Sequence, residues 1–330
     1  MPYLLEPLQI GSLTLPNRLI MPPMATSKAE PDGKVSQAIL AYYNEKTAGG
    51  YFSLVIIEHS FVQQAGKASE KQLSIADDSV VEGFKELAAV IQRNGAKAVV
   101  QINHAGSAAD RAVTGVEPVG PSAVKNPRKG SIPHTLTREE IASIVADFGA
   151  AARRVKAAGF DGVEIHSAHG YFLNQFFSPL TNQRTDEYGG DVSGRIKIHL
   201  QVIAAVRAAV GPDFPIFIRL GAADYVEGGT TAADSQIAAR AFAEAGVNVI
   251  DISGGFCGYV VPGNNEQGYF APLSAAVKEV VAIPVILTGG VTEVQAAEQL
   301  LAAGKADLIG VGRAVFQDSL WAQKAINSLK

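Results

Sequence analysis

Residues Asp161–Arg195 read DGVEIHSAHGYFLNQFFSPLTNQRTDEYGGDVSGR. The stretch opens on a β-like apolar run, Gly162–Ile165, and sets His166, His169 and Tyr171 in the turn directly after it. Two imidazoles and a phenol crowded at the end of a buried strand are costly unless they meet a ligand or one another. The stretch therefore marks both a strand of a covered sheet and a candidate active site at that strand's carboxyl end.

Outward from it, the same unit repeats. Short apolar runs are expected as strands at Arg18–Met21, Leu54–Glu58, Ala98–Ile102, Ile216–Leu220, Val249–Ile252, Val285–Thr288 and Leu308–Val311. Helical patterns lie between and after them, near Gln37–Ala48, Val80–Arg93, Arg138–Ala158, Gly194–Val210, Ala232–Ala245, Pro272–Val281, Glu293–Ala303 and Ser319–Leu329. Thr137 with Glu140, and Thr292 with Gln295, have the spacing of capping boxes. Continuously apolar strands, each followed by a helix, predict a parallel sheet covered on both faces. With Gly162–Ile165 the strands number eight, which predicts a (β/α)8 barrel, a doubly wound open sheet being the alternative. The preceding PLQIGSLTLPNRL, with Gly11 at its turn, predicts a β-hairpin closing the barrel bottom.

No composition shift or flexible linker divides the chain, so one domain over residues 1–330 is expected. At 330 residues and 47% hydrophobic content it can bury a large core. The net charge is −4 and no Lys/Arg-rich run occurs, so nucleic acid and anionic membrane surfaces are poor partners. The single cysteine, Cys257, excludes intrachain disulfides and fits a reducing compartment. MPYLLEPLQI lacks the positive region of a signal peptide, and no apolar run approaches the roughly 20 residues of a membrane span. A cytoplasmic location is the expectation.

Polar and glycine residues cluster where the apolar runs stop: Pro22–Thr26, Gln101, His166 and His169, Arg219, Thr288–Gly290, and Gly310–Arg313. The glycines after the last two strands suit close backbone approach to a phosphate, with Arg313 adding charge, although ordinary strand-to-helix turns also use glycine. Arg219 reads as a cation facing a delocalised anion, or as the ion-pair partner of a carboxylate such as Glu164. His166 and His169 suit metal ligation by spacing, but no third ligand is evident. The preferred reading has both polarising a carbonyl oxygen while Tyr171 supplies a proton. Neither a dinucleotide-binding G-x-G-x-x-G after a strand nor a phosphate-binding G-x-x-x-x-G-K-[ST] is present. The long His104–Leu136 connection is expected as a lid, and Phe316 or Trp321 either packs against a second copy or belongs to the core.

Several of these segments together are identifying: PLQIGSLTLPNRLIMPPM, VVQINHAG, EIHSAHGYFLNQFFSPLTNQRTDEYGG, IRL, TGG and GVGR. The chain resembles, end to end, the Old Yellow Enzyme group of FMN-dependent NAD(P)H:flavin oxidoreductases, including the flavin domain of 2,4-dienoyl-CoA reductases. The resemblance implies a TIM barrel holding one FMN, with Pro23, Met24 and Ala25 beside the isoalloxazine and Gln101 on its pyrimidine side. It places Arg219 at the N1/O2 edge and Gly290, Gly312 and Arg313 at the phosphate. His166 and His169 would hold a substrate carbonyl, and Tyr171 would protonate the carbon next to it. NADH or NADPH would be the electron donor and an activated alkene the substrate. Departures are Ala25, where relatives carry Thr or Cys unless Thr26 substitutes, Ser27 in place of a Tyr, and Ser107 in place of an Arg. The four-cysteine cluster of long dienoyl-CoA reductases is also missing. The alternatives are a flavin oxidoreductase acting on another substrate and a metal-dependent lyase or aldolase using Glu164, His166 and His169.

Overall fold

The structure, a computed structural model, describes residues 1–330. Eight parallel strands close into a barrel: Leu19–Met21, Leu54–Phe61, Lys97–Asn103, Gly162–Ser167, Ile216–Gly221, Val249–Ser253, Val285–Thr288 and Leu308–Gly310. Each pairs with its neighbours in chain order, and the last pairs with the first. The expected (β/α)8 architecture is therefore the observed one, and the open sheet is not.

Successive residues of a strand face opposite ways, so two cores form. The outer one lies between the strands and the helices. The inner one is a separate cluster of Ile20, Leu54, Ile56, Val99, Phe217, Val249, Ile286 and Leu308, completed by Ile10, Leu13 and Leu15. Those last three come from the hairpin Leu8–Ile10/Leu13–Leu15, which turns at Gly11 with φ +53°. The hairpin seals the end where the strands begin, as its sequence suggested. Each such aliphatic side chain taken from water contributes roughly 1.5–3 kcal/mol.

Two residues further along the same strands, the inward positions change character. Val99 is succeeded by Gln101, Phe217 by Arg219, Val249 by Asp251, Ile286 by Thr288, and Leu308 by Gly310. The register sets neighbours at one height: Gln101 beside Glu164, His166 beside Arg219, and Arg219 beside Asp251. The upper barrel is thus a polar floor laid over an apolar plug.

Some expected boundaries move. The second strand continues beyond Glu58 to Phe61 through a register irregularity between Ile57 and Ser60. The helix expected from Gly194 divides into Val192–Arg195, capped by Asp191, and Lys197–Val210. The Thr137 capping box forms. That of Thr292 does not: its N–H and Oγ1 are taken by Gln267, and Glu293 precedes the helix Val294–Ala302 without a side-chain cap. A capping box absent from the sequence reading forms instead at Thr231 and Asp234.

Candidate active site

Above the polar floor, at the carboxyl ends of the strands, lies a cavity of about 470 Å³. One wall is Pro22, Pro23, Met24 and Ala25, from the segment after the first strand. Another is Gly289, Gly290 and Gly312 with Arg313, after the last two strands. His59, His166, His169 and Tyr171 form a third, and Gln101, Arg219 and Thr288 close the floor. All the residues singled out at strand ends for catalysis or cofactor binding converge here.

The glycine wall is a strict steric demand at one position. Gly290 has φ +72°, and a Cβ there would lie 2.5 Å from the Tyr269 ring. The missing side chain lets the Tyr269 ring pack against this turn. The amides of Gly290 and Gly312 donate to no acceptor in the protein, and Arg313 reaches only the Tyr269 hydroxyl, at 3.3 Å.

The imidazole wall is held from behind. His169 sits at φ +60°, a strained conformation for a side chain with a Cβ, and its Nε2 lies 2.7 Å from Ser253 Oγ. Its ring is 5.2 Å from that of His166, which in turn is 5.3 Å from Tyr171. His166 Nδ1 has no partner in the protein. Burial, reinforced by Arg219, holds both imidazoles well below the usual histidine range. Burial pushes the Tyr171 phenol up. At neutral pH this wall therefore presents neutral imidazoles at His59, His166 and His169 and a protonated phenol.

Under it, the charges are few and nearly dry. Arg219 Nε stands 3.2 Å from Asp251 Oδ2, close enough for an ion pair but not aligned as a hydrogen bond. Thr288 donates to Asp251 Oδ1 at 3.1 Å. Glu164, the carboxylate offered as an alternative partner for Arg219, accepts from Gln101 Nε2 at 2.8 Å, because the register makes those two neighbours. Burial, with Asp251 adding to it, raises the Glu164 carboxyl to about 8.

Thr26 does not replace the side chain absent at Ala25. Its hydroxyl donates to Glu58 Oε2 at 2.7 Å, and it stays off the cavity wall. Phe316 lines the cavity, whereas Trp321 is not among its lining residues and donates to Thr292 O at 2.8 Å. Sequence reasoning missed several contributors, Tyr269 and Ser253 among them. His59 was hidden by the irregularity beyond Glu58, and Asp251 by its apolar strand, although a carboxylate inside VIDIS was itself a signal. Arg128 and Tyr259 come from loops with no legible pattern.

With this geometry, the comparison with known proteins is direct. A family model described as the NADH:flavin oxidoreductase / NADH oxidase family matches residues 3–330. The chain belongs to this family. Membership brings FMN as the barrel's cofactor and sets aside the lyase or aldolase reading. An NADH oxidase of Thermoanaerobacter brockii is 42% identical over 330 residues, covering 98% of this chain and 50% of the relative. The chain thus spans about half of that protein. An NADPH dehydrogenase of Listeria welshimeri is 38% identical over 322 residues, 97% of this chain and 93% of the relative. A solved 2-naphthoyl-CoA reductase in complex with 2-naphthoyl-CoA superposes with a TM-score of 0.92 at 27% identity, covering 99% of this chain and 52% of that one. No helix here is long and apolar enough to cross a membrane.

Proposed function

We propose that this barrel is an FMN-dependent NAD(P)H oxidoreductase that reduces the C=C bond of α,β-unsaturated carbonyl compounds by a ping-pong hydride transfer. The observation that carries this reading is the convergence of the neutral His166 and His169 imidazoles and the protonated Tyr171 phenol on a single cavity wall. The conjugated thioester of the neighbouring 2-naphthoyl-CoA reductase is an acceptor of the same chemical class.

The residues present fit FMN. Pro23, Met24 and Ala25 offer one face for the ring, and Gln101 with Arg219 offers polar contacts at its edge. Gly290, Gly312 and Arg313 offer donors and charge to the phosphate. FMN held there would supply the hydride chemistry linking NADH or NADPH to the β-carbon of the alkene. The chain's own part is to place and polarise.

His166 and His169 donate N–H to the substrate carbonyl oxygen. In this role His169 carries its proton on Nδ1, the tautomer in which Nε2 accepts from Ser253 Oγ, 2.7 Å away. Two neutral donors stabilise charge building on the oxygen without giving up a proton to it. Tyr171 gives its phenolic proton to the α-carbon and recovers one from solvent, so one hydride and one proton add across the double bond. Arg219 places positive charge beneath the site, and burial keeps that charge effective.

An anaerobic absorbance spectrum tests the reading. Flavin bands should bleach with NADH or NADPH and recover on adding 2-cyclohexenone. Bleaching without recovery would move the substrate away from enones, and a protein that takes up no FMN would overturn the reading. Tyr171→Phe should slow reoxidation by the enone by roughly 10²–10⁴-fold, the worth of a placed general acid, while flavin reduction stays near wild type. Equal losses in both half-reactions would remove the proton from Tyr171.

A further inference from the structure

Three guanidinium groups line the cavity, and the flavin reading accounts for two. Arg219 is matched by Asp251, and Arg313 stands beside the glycines that suit the FMN phosphate. Arg128 has no such assignment. It comes from the connection after the third strand, and its Nη1 donates to His169 O at 2.7 Å. That bond ties it to the segment carrying the carbonyl-binding imidazoles.

The turn presenting Arg128 is built, not loose. Asn126 is 1% exposed, and its Oδ1 accepts the N–H groups of Arg128 and Lys129, both at 2.9 Å. Its Nδ2 donates to Ser107 Oγ at 2.8 Å, and Ser131 Oγ donates to Ser107 O at 2.8 Å. Ser107 is thus the anchor of the turn. The expected lid is a pinned flap whose apex points a cation at the cavity mouth.

Lys125 and Lys129 flank Arg128, and all three side chains are exposed. None is paired with a carboxylate. Three like charges on one short turn repel, and a single carboxylate relieves only part of that. A ligand carrying several negative charges relieves more of it, and guanidinium matches phosphate oxygens in fork geometry.

We propose that the Lys125–Arg128–Lys129 turn binds the phosphate groups of a pyrophosphate-linked nucleotide whose other end reacts in the cavity. The inference rests on the flavin reading and deepens it. Two ligands share this chemistry: the hydride donor, NADH or NADPH, and a coenzyme A thioester serving as the conjugated carbonyl substrate. Their phosphates would occupy the same turn, in alternate half-reactions.

The test compares each ligand with a phosphate-free analogue on the FMN-loaded protein. NADH and NADPH are set against 1-benzyl-1,4-dihydronicotinamide, and crotonyl-CoA against S-crotonyl-N-acetylcysteamine, in stopped-flow half-reactions. Arg128→Gln should weaken the apparent Kd of the phosphate-bearing ligand about tenfold relative to its analogue. Arg128→Lys should recover part of that loss. The double variant Lys125→Ala, Lys129→Ala, outside the cavity, should weaken the same ligand and leave the analogue unaffected. Added salt should weaken wild-type binding of that ligand more than its analogue.

A loss confined to NADH and NADPH assigns the turn to the donor, and one confined to crotonyl-CoA assigns it to the substrate. Equal change in ligand and analogue, or no change in either, overturns the proposal. Bleaching of wild-type flavin by the benzyl donor keeps the flavin reading intact in that event. A protein that binds no FMN fails at the earlier step instead.

Discussion

The two ends of the barrel interior are separated by a single step of two residues along each strand, yet they are different materials. At the lower end Val99, Phe217, Val249, Ile286 and Leu308 interlock with Ile10, Leu13 and Leu15 of the hairpin. At the upper end Gln101, Arg219, Asp251, Thr288 and Gly310 replace them, and buried polar atoms lack a hydrogen bond at Glu164 and His166 and, within their ion pair, at Arg219 and Asp251. Close packing without polar atoms stabilises a fold, whereas unpartnered polar atoms cost stability and await a ligand. The barrel thus keeps its stability at one end and its chemistry at the other.

The largest effect that tests this separation is expected from Phe217→Ala. Phe217 is fully buried in the lower layer, and its truncation should cost about 3–5 kcal/mol of stability. Thermal melts and urea titration would measure it. Hydride transfer in the folded fraction should change little. A rate that falls in step with stability would show that the two ends are mechanically one.

A second test belongs to the upper end. Glu58 is 2% exposed and accepts from Thr26 N–H at 3.3 Å and Thr26 Oγ1 at 2.7 Å. Burial raises its carboxyl to about 7 from an ordinary 4.5. A carboxyl raised by folding is more stable folded when protonated, so its favourable contribution is full below about 4.5 and is lost as pH rises through about 7. Glu58→Gln mimics the protonated form, and the Thr26 hydroxyl can turn to accept from the new amide. The variant should match wild type near pH 5 and exceed it near pH 8.5, by at most about 3 kcal/mol. Parallel stability curves at the two pH values would show that Glu58 is not strained by its burial.

The same two ends explain what the sequence let one read. The barrel strands and the hairpin were legible because continuous apolar runs and a turn glycine are local signals. The strand-four signature was legible because histidines rarely end an apolar run without a reason. Partnerships at the upper end were not, since they depend on register. Glu164 sits beside Gln101 and Arg219 beside Asp251 only because adjacent strands align at those heights. His59 escaped for a related reason: the irregularity between Ile57 and Ser60 carries the strand past the point where its apolar run stops. Arg128 lay in a connection whose conformation is set by one buried asparagine, which no periodicity announces.

Two threonines make the smallest and most local test. In a (β/α)8 barrel each helix begins at the carboxyl end of a strand, so helix caps and ligand contacts draw on the same rim. Thr231 and Thr292 both precede helices with a polar residue three positions on, and local sequence does not distinguish them. The structure does: Thr231 Oγ1 accepts from Asp234 N–H at 3.3 Å, whereas Thr292 lines the cavity and accepts from Gln267 Nε2 at 2.7 Å. Thr231→Ala removes an internal cap and should lower stability by about 1 kcal/mol, leaving FMN affinity unchanged. Thr292→Ala removes no cap, and its melting temperature should fall by less. Melts of the two apoproteins, with FMN titrations beside them, decide the matter. If Thr292→Ala costs as much stability as Thr231→Ala, the rim at the seventh strand serves the helix, and the division between structural and chemical polar groups does not hold there.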